Sequence, residues 1–270
     1  MASLSLLSLS LLVLNLAAAV PTKIQDRYYP QSDGNPLQVG VALCYTGSQF
    51  PSIDQWLSFN ELFELNKQIM LMFNSQEEVS VIRRSIEEAA EASGLDRYLS
   101  NFPDPSYISW RQQHRGPSTL RNKWKIELTT PLSLNNSRII LAVMMQESNG
   151  NVRTSAGDGV TPGIMQALGS PDCSGSAWGK CDPSTIRNMV MAGVFGTGRT
   201  EGLAACFKRY GHAYGPMLRC YNSGSVPDLS DLSKVKYGTP GYVSFVANRL
   251  EGFQPRRDCG FGAGIPSLGY

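Results

Sequence analysis

Six cysteines behind an apolar, uncharged N-terminus limit what this chain can fold into. Residues 1–22 carry no charged side chain, and a Leu-rich run ends in three alanines at 17–19. A short apolar run before small residues is typical of a secretory signal, which we place at 1–20, although no Lys or Arg precedes the run. An even cysteine count behind such a signal predicts three disulfide bonds and a secreted, extracellular protein.

The spacing of the cysteines favours one pairing scheme without fixing it. One pair encloses a short Ser- and Gly-rich loop, one joins two consecutive helices, and one ties the N-terminal arm to the C-terminal tail. The scheme pairs Cys173 with Cys181, Cys206 with Cys220, and Cys44 with Cys259. Six cysteines allow about 15 pairings, so the others stay open. No Cys-x-x-Cys pair occurs and neither histidine lies near a cysteine pair, so we expect no metal and no cofactor.

Composition excludes several classes of partner. The 270 residues are 42% hydrophobic and 17% charged, which suffices for a sizeable core. A net charge of +2 gives no basis for binding nucleic acid or an anionic membrane. No later segment is long and apolar enough to span a bilayer. We therefore expect a monomer that does not contact a membrane once the signal is removed.

The N-terminal half predicts two helices and two irregular stretches. Residues 21–53 form an irregular arm, and 54–73 carry apolar side chains at helical spacing. Ser75 and Glu78 form a capping box for a second helix, which Gly94 can end. Residues 97–137 hold four prolines and follow no period, so we interpret them as an irregular insert outside the core.

The C-terminal half is also helical. An apolar helix begins at Arg138 and leads into Glu147, and Asp182-Pro183 caps another. Further helices are expected at about 200–210 and 216–222, and from Thr239-Pro240 to Gly252. The fold class is mainly α, with a few short strands near 155–168.

Glu147 is the strongest candidate for a catalytic group. It ends an apolar helix and precedes a Gly- and Asn-rich loop. Carbonyls at a helix C-terminus and apolar neighbours both disfavour a carboxylate, so they hold a carboxyl group protonated near neutral pH. A general acid in glycoside cleavage needs that property. A solvated glutamate at a helix end is the alternative from this feature alone.

Four motifs that follow one another along the chain support a catalytic role for Glu147. They are Ile140-Leu-Ala-Val-Met-Met-Gln-Glu147-Ser148, Gly163-Ile-Met-Gln166, Tyr221-Asn222-Ser223-Gly224 and Tyr242-Val243. Together they resemble the lytic transglycosylase (SLT) and goose-type lysozyme family, and most closely its secreted fungal members. The resemblance covers about 54–96 and 138–253. It implies an α+β lysozyme-like fold, with a lysozyme-like transglycosylase domain at 54–260 and a tail at 261–270.

The resemblance also implies a role for each motif. Glu147 would protonate the glycosidic oxygen, and the neighbouring Ser148 would support it. The implied substrate contacts come from Gly163, Met165, Gln166, Tyr221, Asn222 and Tyr242. From the residues alone, Met165 could equally be core, and Tyr221 could be a buried helix aromatic.

Two departures from the family pattern bear on mechanism and on folding. The loop before Gly163 holds one acidic residue, Asp158, whereas hydrolysing goose-type enzymes carry additional acidic residues there. Asp158 is either a candidate catalytic base or an ordinary turn residue. Hydrolysis and transglycosylation therefore both stay open. In the family the two helical blocks around 97–137 are almost contiguous, so this stretch is either a natural loop or a translated intron.

We expect a secreted enzyme that cleaves β-1,4 bonds of peptidoglycan through Glu147, as a muramidase or a lytic transglycosylase. Its partner would be the glycan substrate. The alternatives are a chitin-oligomer-cleaving enzyme and a non-catalytic secreted glycan-binding protein.

Overall fold

A computed structural model describes residues 42–93, 133–253, 255 and 259–261 of the chain. This part holds seven α-helices and a short 3-10 turn at Ile53–Gln55. The helices are α1 Phe59–Leu71, α2 Gln76–Ser93, α3 Ser133–Ser148, α4 Pro183–Phe195, α5 Leu203–Arg209, α6 Tyr214–Ser223 and α7 Tyr242–Leu250. The signal at 1–20, the arm up to residue 41 and the insert from 97 to 132 lie outside the described residues.

The predicted helix starts are explained by their caps. Ser75 N donates to Glu78 Oε2 at 2.8 Å and Glu78 N donates to Ser75 Oγ at 3.2 Å, so the capping box of α2 is confirmed. Asp182 caps α4 by accepting from Ser184 N at 2.8 Å, with Pro183 in the first turn. Both helices therefore begin where the sequence predicts.

The helix α3 forms the centre of the core. Its residues 139–145 are all buried, and α3 packs against α1, α2 and α7. A helix that is apolar on every side has to be surrounded by protein. The helices α1, α2 and α7 enclose α3 and fix where its C-terminal end emerges.

The mainly helical fold class is confirmed, but two expectations about local structure are wrong. The helix α3 begins at Ser133, five residues before the predicted start, so the end of the supposed insert is helical. The described residues contain no strand, and 155–168 is a series of turns. The one antiparallel bridge in this part of the chain joins Gly196 and Glu201.

Three disulfide bonds follow the favoured pairing scheme. Cys173 bonds to Cys181, Cys206 to Cys220, and Cys44 to Cys259. The last pair ties Cys44 to a residue beyond the end of α7, and Asn248 on α7 exchanges hydrogen bonds with the backbone of Leu43 at 2.7 and 2.8 Å. Three disulfide bonds are compatible with a secreted protein. Among the described helices, none has the length and apolar character that crossing a membrane requires.

Candidate active site

Glu147 is the penultimate residue of α3, at the point where this buried helix reaches the surface. Its side chain is partly buried, and burial raises its pKa from 4.5 to about 7, although the hydrogen bond from Tyr242 acts in the opposite direction. The raised pKa that we expected from the sequence is therefore confirmed. Near neutral pH a substantial fraction of Glu147 carries a proton, as a general acid must.

Tyr242 holds the Glu147 carboxyl group. It is the first residue of α7 and is 2% exposed, and its hydroxyl donates to Glu147 Oε1 at 2.5 Å. Burial and the nearby carboxylate raise the pKa of Tyr242 well above its usual value, so it remains a neutral donor. Glu147 Oε2 makes no hydrogen bond to the described residues, which leaves that oxygen free to face a ligand.

Tyr221 on α6 also interacts with the carboxyl group. Its hydroxyl donates to the carbonyl oxygen of Met165 at 2.7 Å. Burial and the charge of Glu147 raise its pKa well above the usual value. The electrostatic interaction between Tyr221 and Glu147 shows that α6 contributes to the same site as α3 and α7.

Arg219 also belongs to this site, and no feature of the sequence singled it out. It is fully buried on α6, and Nη2 donates to the carbonyl oxygens of Thr239 at 2.9 Å and Pro240 at 3.4 Å. Burial lowers its pKa to about 10, which leaves it charged at neutral pH. Arg219 thus fixes the turn that leads into α7, and with it the position of Tyr242.

Asn222, like Arg219, holds the turn that leads into α7. Its Oδ1 accepts from Thr239 N at 2.8 Å and from Arg219 Nη1 at 3.2 Å. The oxygen of this side chain is therefore engaged with the turn before α7. The structure assigns it no contact with Glu147.

The segment 163–166 is a tight turn beneath the site. Gly163 has φ +86°, and a Cβ there would lie 2.7 Å from the carbonyl oxygen of Pro171, so only glycine fits. Met165 is fully buried in the core, and only its carbonyl oxygen reaches the site, through Tyr221. Gln166 is partly buried, and its Nε2 donates to the carbonyl oxygen of Gly163 at 2.9 Å.

Ser148 connects this turn to the end of α3. Its hydroxyl donates to the carbonyl oxygen of Ile164 at 2.8 Å and accepts from Gly150 N at 3.1 Å. The hydroxyl therefore joins the backbone just after Glu147 to the turn 163–166. The structure thus brings together Glu147, Ser148, Tyr221 and Tyr242 with the backbone of Met165.

Asp158 forms hydrogen bonds within its own turn and none with Glu147. It is exposed, and its Oδ1 accepts from Val160 N at 2.9 Å, Thr161 N at 2.8 Å and Thr161 Oγ1 at 2.7 Å. Partial burial alone would raise its pKa, but these hydrogen bonds together lower it. The contacts are those of a turn-forming aspartate, and none of them is to Glu147.

Two buried polar residues that the sequence did not single out for this purpose hold the loop after Glu147. Asn74 is fully buried; its Nδ2 donates to the carbonyl oxygen of Gly150 at 2.9 Å and its Oδ1 accepts from Val152 N at 3.0 Å. Glu78 is 3% exposed and forms a bidentate ion pair with Arg153 at 2.5 and 3.2 Å. Both contacts attach the loop to the N-terminal end of α2.

Searches of protein-family models, of curated proteins and of solved structures found no match to this chain. One group of potential metal ligands lies close together in the described residues, namely Glu201, Cys206 and Cys220. Both cysteine sulfurs belong to a disulfide bond, so this group does not form a metal site.

Proposed function

We propose that this protein is a secreted lysozyme-like enzyme that cleaves β-1,4 bonds of an N-acetylated glycan, foremost peptidoglycan, with Glu147 as general acid. One observation carries the proposal. A carboxyl group emerges from the end of a buried helix, its pKa is raised to about 7, and a buried tyrosine orients it. A raised carboxyl pKa near the working pH is what protonation of a glycosidic oxygen requires.

The two carboxyl oxygens have different tasks in this proposal. Tyr242 donates to Oε1, so the proton of the neutral acid resides on Oε2, which faces the substrate. When the glycosidic C–O bond breaks, that proton passes to the leaving oxygen. The hydrogen bond from Tyr242 then stabilises the carboxylate that Glu147 becomes.

The contacts of Asp158 favour transglycosylation over hydrolysis. A hydrolysing enzyme with two carboxyl groups needs the second one roughly 5–9.5 Å from the first. Asp158 is the one acid in the loop before Gly163, and its Oδ1 is engaged in a turn. A single carboxyl group suffices for transglycosylation, because Glu147 can then take a proton from a hydroxyl of the substrate, which closes an anhydro ring.

Extracellular action fits the chemistry of the chain. The three disulfide bonds are stable in an oxidising compartment.

Chitin oligomers are the second substrate class, because they share the β-1,4 linkage and the N-acetyl group. A non-catalytic glycan-binding protein is the rival interpretation, but it gives no reason for a carboxyl group whose pKa is about 7.

The test is a turnover assay on purified peptidoglycan and on chitin oligomers, with mass analysis of the products. Glu147→Gln should lower turnover by about 100- to 10,000-fold, because an amide cannot supply the proton. Glu91→Gln, an exposed exchange of the same kind on α2, is the matched control and should leave turnover unchanged.

Products that end in a 1,6-anhydro sugar would support transglycosylation, and reducing ends would indicate hydrolysis. Wild-type protein that binds both glycans without cleaving either would contradict the proposal and favour the binding protein. A Glu147→Gln variant with normal turnover would show that the proton comes from another group.

A further inference from the structure

A polar groove of about 490 Å³ lies between the loop 197–201, Arg209 and the C-terminal end of α6 at Cys220 and Gly224. We call it the arginine groove. Threonine, glycine, arginine, glutamate and cysteine line it, and no aromatic or large aliphatic side chain does. A ligand that fits such walls carries polar or charged groups, because the polar part of the lining is larger than the apolar part.

The wall that carries Arg199 is preorganised. Thr197 N donates to the carbonyl oxygen of Thr200 at 3.0 Å, and Arg199 N donates to Thr197 Oγ1 at 3.0 Å. The loop closes tightly, since a Cβ on Gly202 would lie 2.3 Å from Gly196 N. The loop therefore presents Arg199 from a fixed backbone, which lowers the entropy cost of binding.

One positive charge in the groove, that of Arg199, has no ion-pair partner among the described residues. Arg209 forms an ion pair with Glu201, so these two charges are matched. Arg199 is exposed and makes no ion pair with the described residues. A guanidinium group is suited to a carboxylate, with which it forms two parallel hydrogen bonds. The charge and the lining therefore favour a ligand with a carboxylate.

The arginine groove is connected to the candidate active site through α6 and through the segment 163–168. Thr197 Oγ1 donates to the carbonyl oxygen of Leu168 at 2.7 Å, and Leu168 follows Gln166 by two residues. Cys220 and Gly224 lie on either side of Tyr221 in sequence, and Tyr221 contacts the turn 163–166 beneath Glu147. A glycan chain that is bound at Glu147 and runs along this connection would bring its substituents to the groove.

We propose that Arg199 in the arginine groove binds a carboxylate carried by a substituent of the glycan chain, and so selects peptidoglycan over chitin. The inference rests on the proposed function. A chain of N-acetylglucosamine carries no carboxylate, whereas peptidoglycan carries one on the lactyl group when it is free and others on its peptides. The groove accepts either carboxylate, and the substrates in the test distinguish them.

The experiment measures affinity separately from turnover. Glu147→Gln protein, with and without Arg199→Gln, is titrated by calorimetry with three ligands. These are glycan strands with intact peptides, strands with the peptides removed and the lactyl carboxylate free, and chitin oligomers. Arg199→Gln should raise Kd about fivefold to tenfold for a carboxylate-bearing ligand and leave chitin unchanged, a loss of the size expected for one solvent-exposed guanidinium–carboxylate contact. Arg84→Gln on the exposed face of α2 is the matched control and should change none of the three values.

A loss for intact strands alone would identify the peptide carboxylate, a loss for stripped strands alone would identify the lactyl carboxylate, and a loss for both would show that the groove accepts either. An equal change for chitin, no change for any ligand, or failure of the carboxylate-bearing strands to bind would overturn the proposal. These outcomes are independent of cleavage. Wild-type protein that binds with the predicted selectivity and never cleaves would contradict the catalytic proposal. The proposal that Arg199 binds a carboxylate would still hold.

Discussion

Replacement of Glu147 with glutamine should make the protein more stable at alkaline pH, although it removes the proposed catalytic acid. The pKa of Glu147 is about 7 in the folded protein, against an ordinary value of 4.5. Between these two pH values the folded protein holds a proton that the unfolded chain has lost. The free energy of unfolding therefore falls as pH rises from about 4.5 through 7, and glutamine abolishes that loss.

The size of the effect follows from the two pKa values. Each pH unit of difference corresponds to about 1.36 kcal/mol, so the rise from 4.5 to about 7 gives about 3 kcal/mol at full ionisation. This destabilisation is an upper limit, because Glu147 keeps part of its surface in contact with water. For a domain of this size, about 3 kcal/mol moves Tm by roughly 6 to 12 °C.

Thermal and urea unfolding of both proteins at pH 4 and pH 8.5 measures the effect without any substrate. The quantity that matters is the change in the difference between the two proteins, since other titrating groups, such as Glu251, affect both equally. Glu91→Gln is the control and should follow the wild type at both pH values. A difference between Glu147→Gln and wild type that stays constant from pH 4 to pH 8.5 would refute the burial argument, and with it the basis for a protonated acid.

Three further outcomes are expected. Asp158→Asn should leave turnover within about threefold, because an asparagine oxygen can keep the turn; a loss of 100-fold or more would identify a catalytic base. Glu78→Gln should lower the free energy of unfolding by about 3 kcal/mol in a urea titration, since it leaves a mostly buried arginine unmatched, whereas the exposed control Glu88→Gln should change it little. Replacement of Cys206 and Cys220 with serine should cost about 3 kcal/mol for the loop that they close, and an unchanged Tm would contradict this.

Local signals in the sequence were sufficient for most of the helical fold. The capping box of Ser75 and Glu78 and the Asp182-Pro183 start depend on contacts within one helical turn, so they are visible in sequence. The pairing of the cysteines was favoured by their spacing and is confirmed. The early start of α3 at Ser133 was missed, because Leu134, Asn135 and Asn136 show no apolar periodicity.

The geometry around Glu147 is long-range and was less accessible from sequence. Its contact with Tyr242 spans 95 residues, and no spacing rule predicts such a pair. The motif resemblance placed Tyr221 and Tyr242 near the acid, but it could not show that Tyr221 contacts a backbone carbonyl rather than the carboxyl group. Only packing shows that Met165 is core while its carbonyl oxygen serves the site.

Arg219 shows why a buried charge is hard to find from sequence. An arginine two residues before Tyr221 looks like an ordinary surface position on a helix, yet it is fully buried. Its donors reach the backbone at Thr239 and Pro240 and the side chains of Asn222 and Ser223, so its burial depends on a turn about 20 residues away. No acidic side chain among the described residues forms an ion pair with it. The cost of burying this cation is therefore offset by neutral oxygens that fix the start of α7, and the position of the Tyr242 hydroxyl on Glu147 is a consequence of that arrangement.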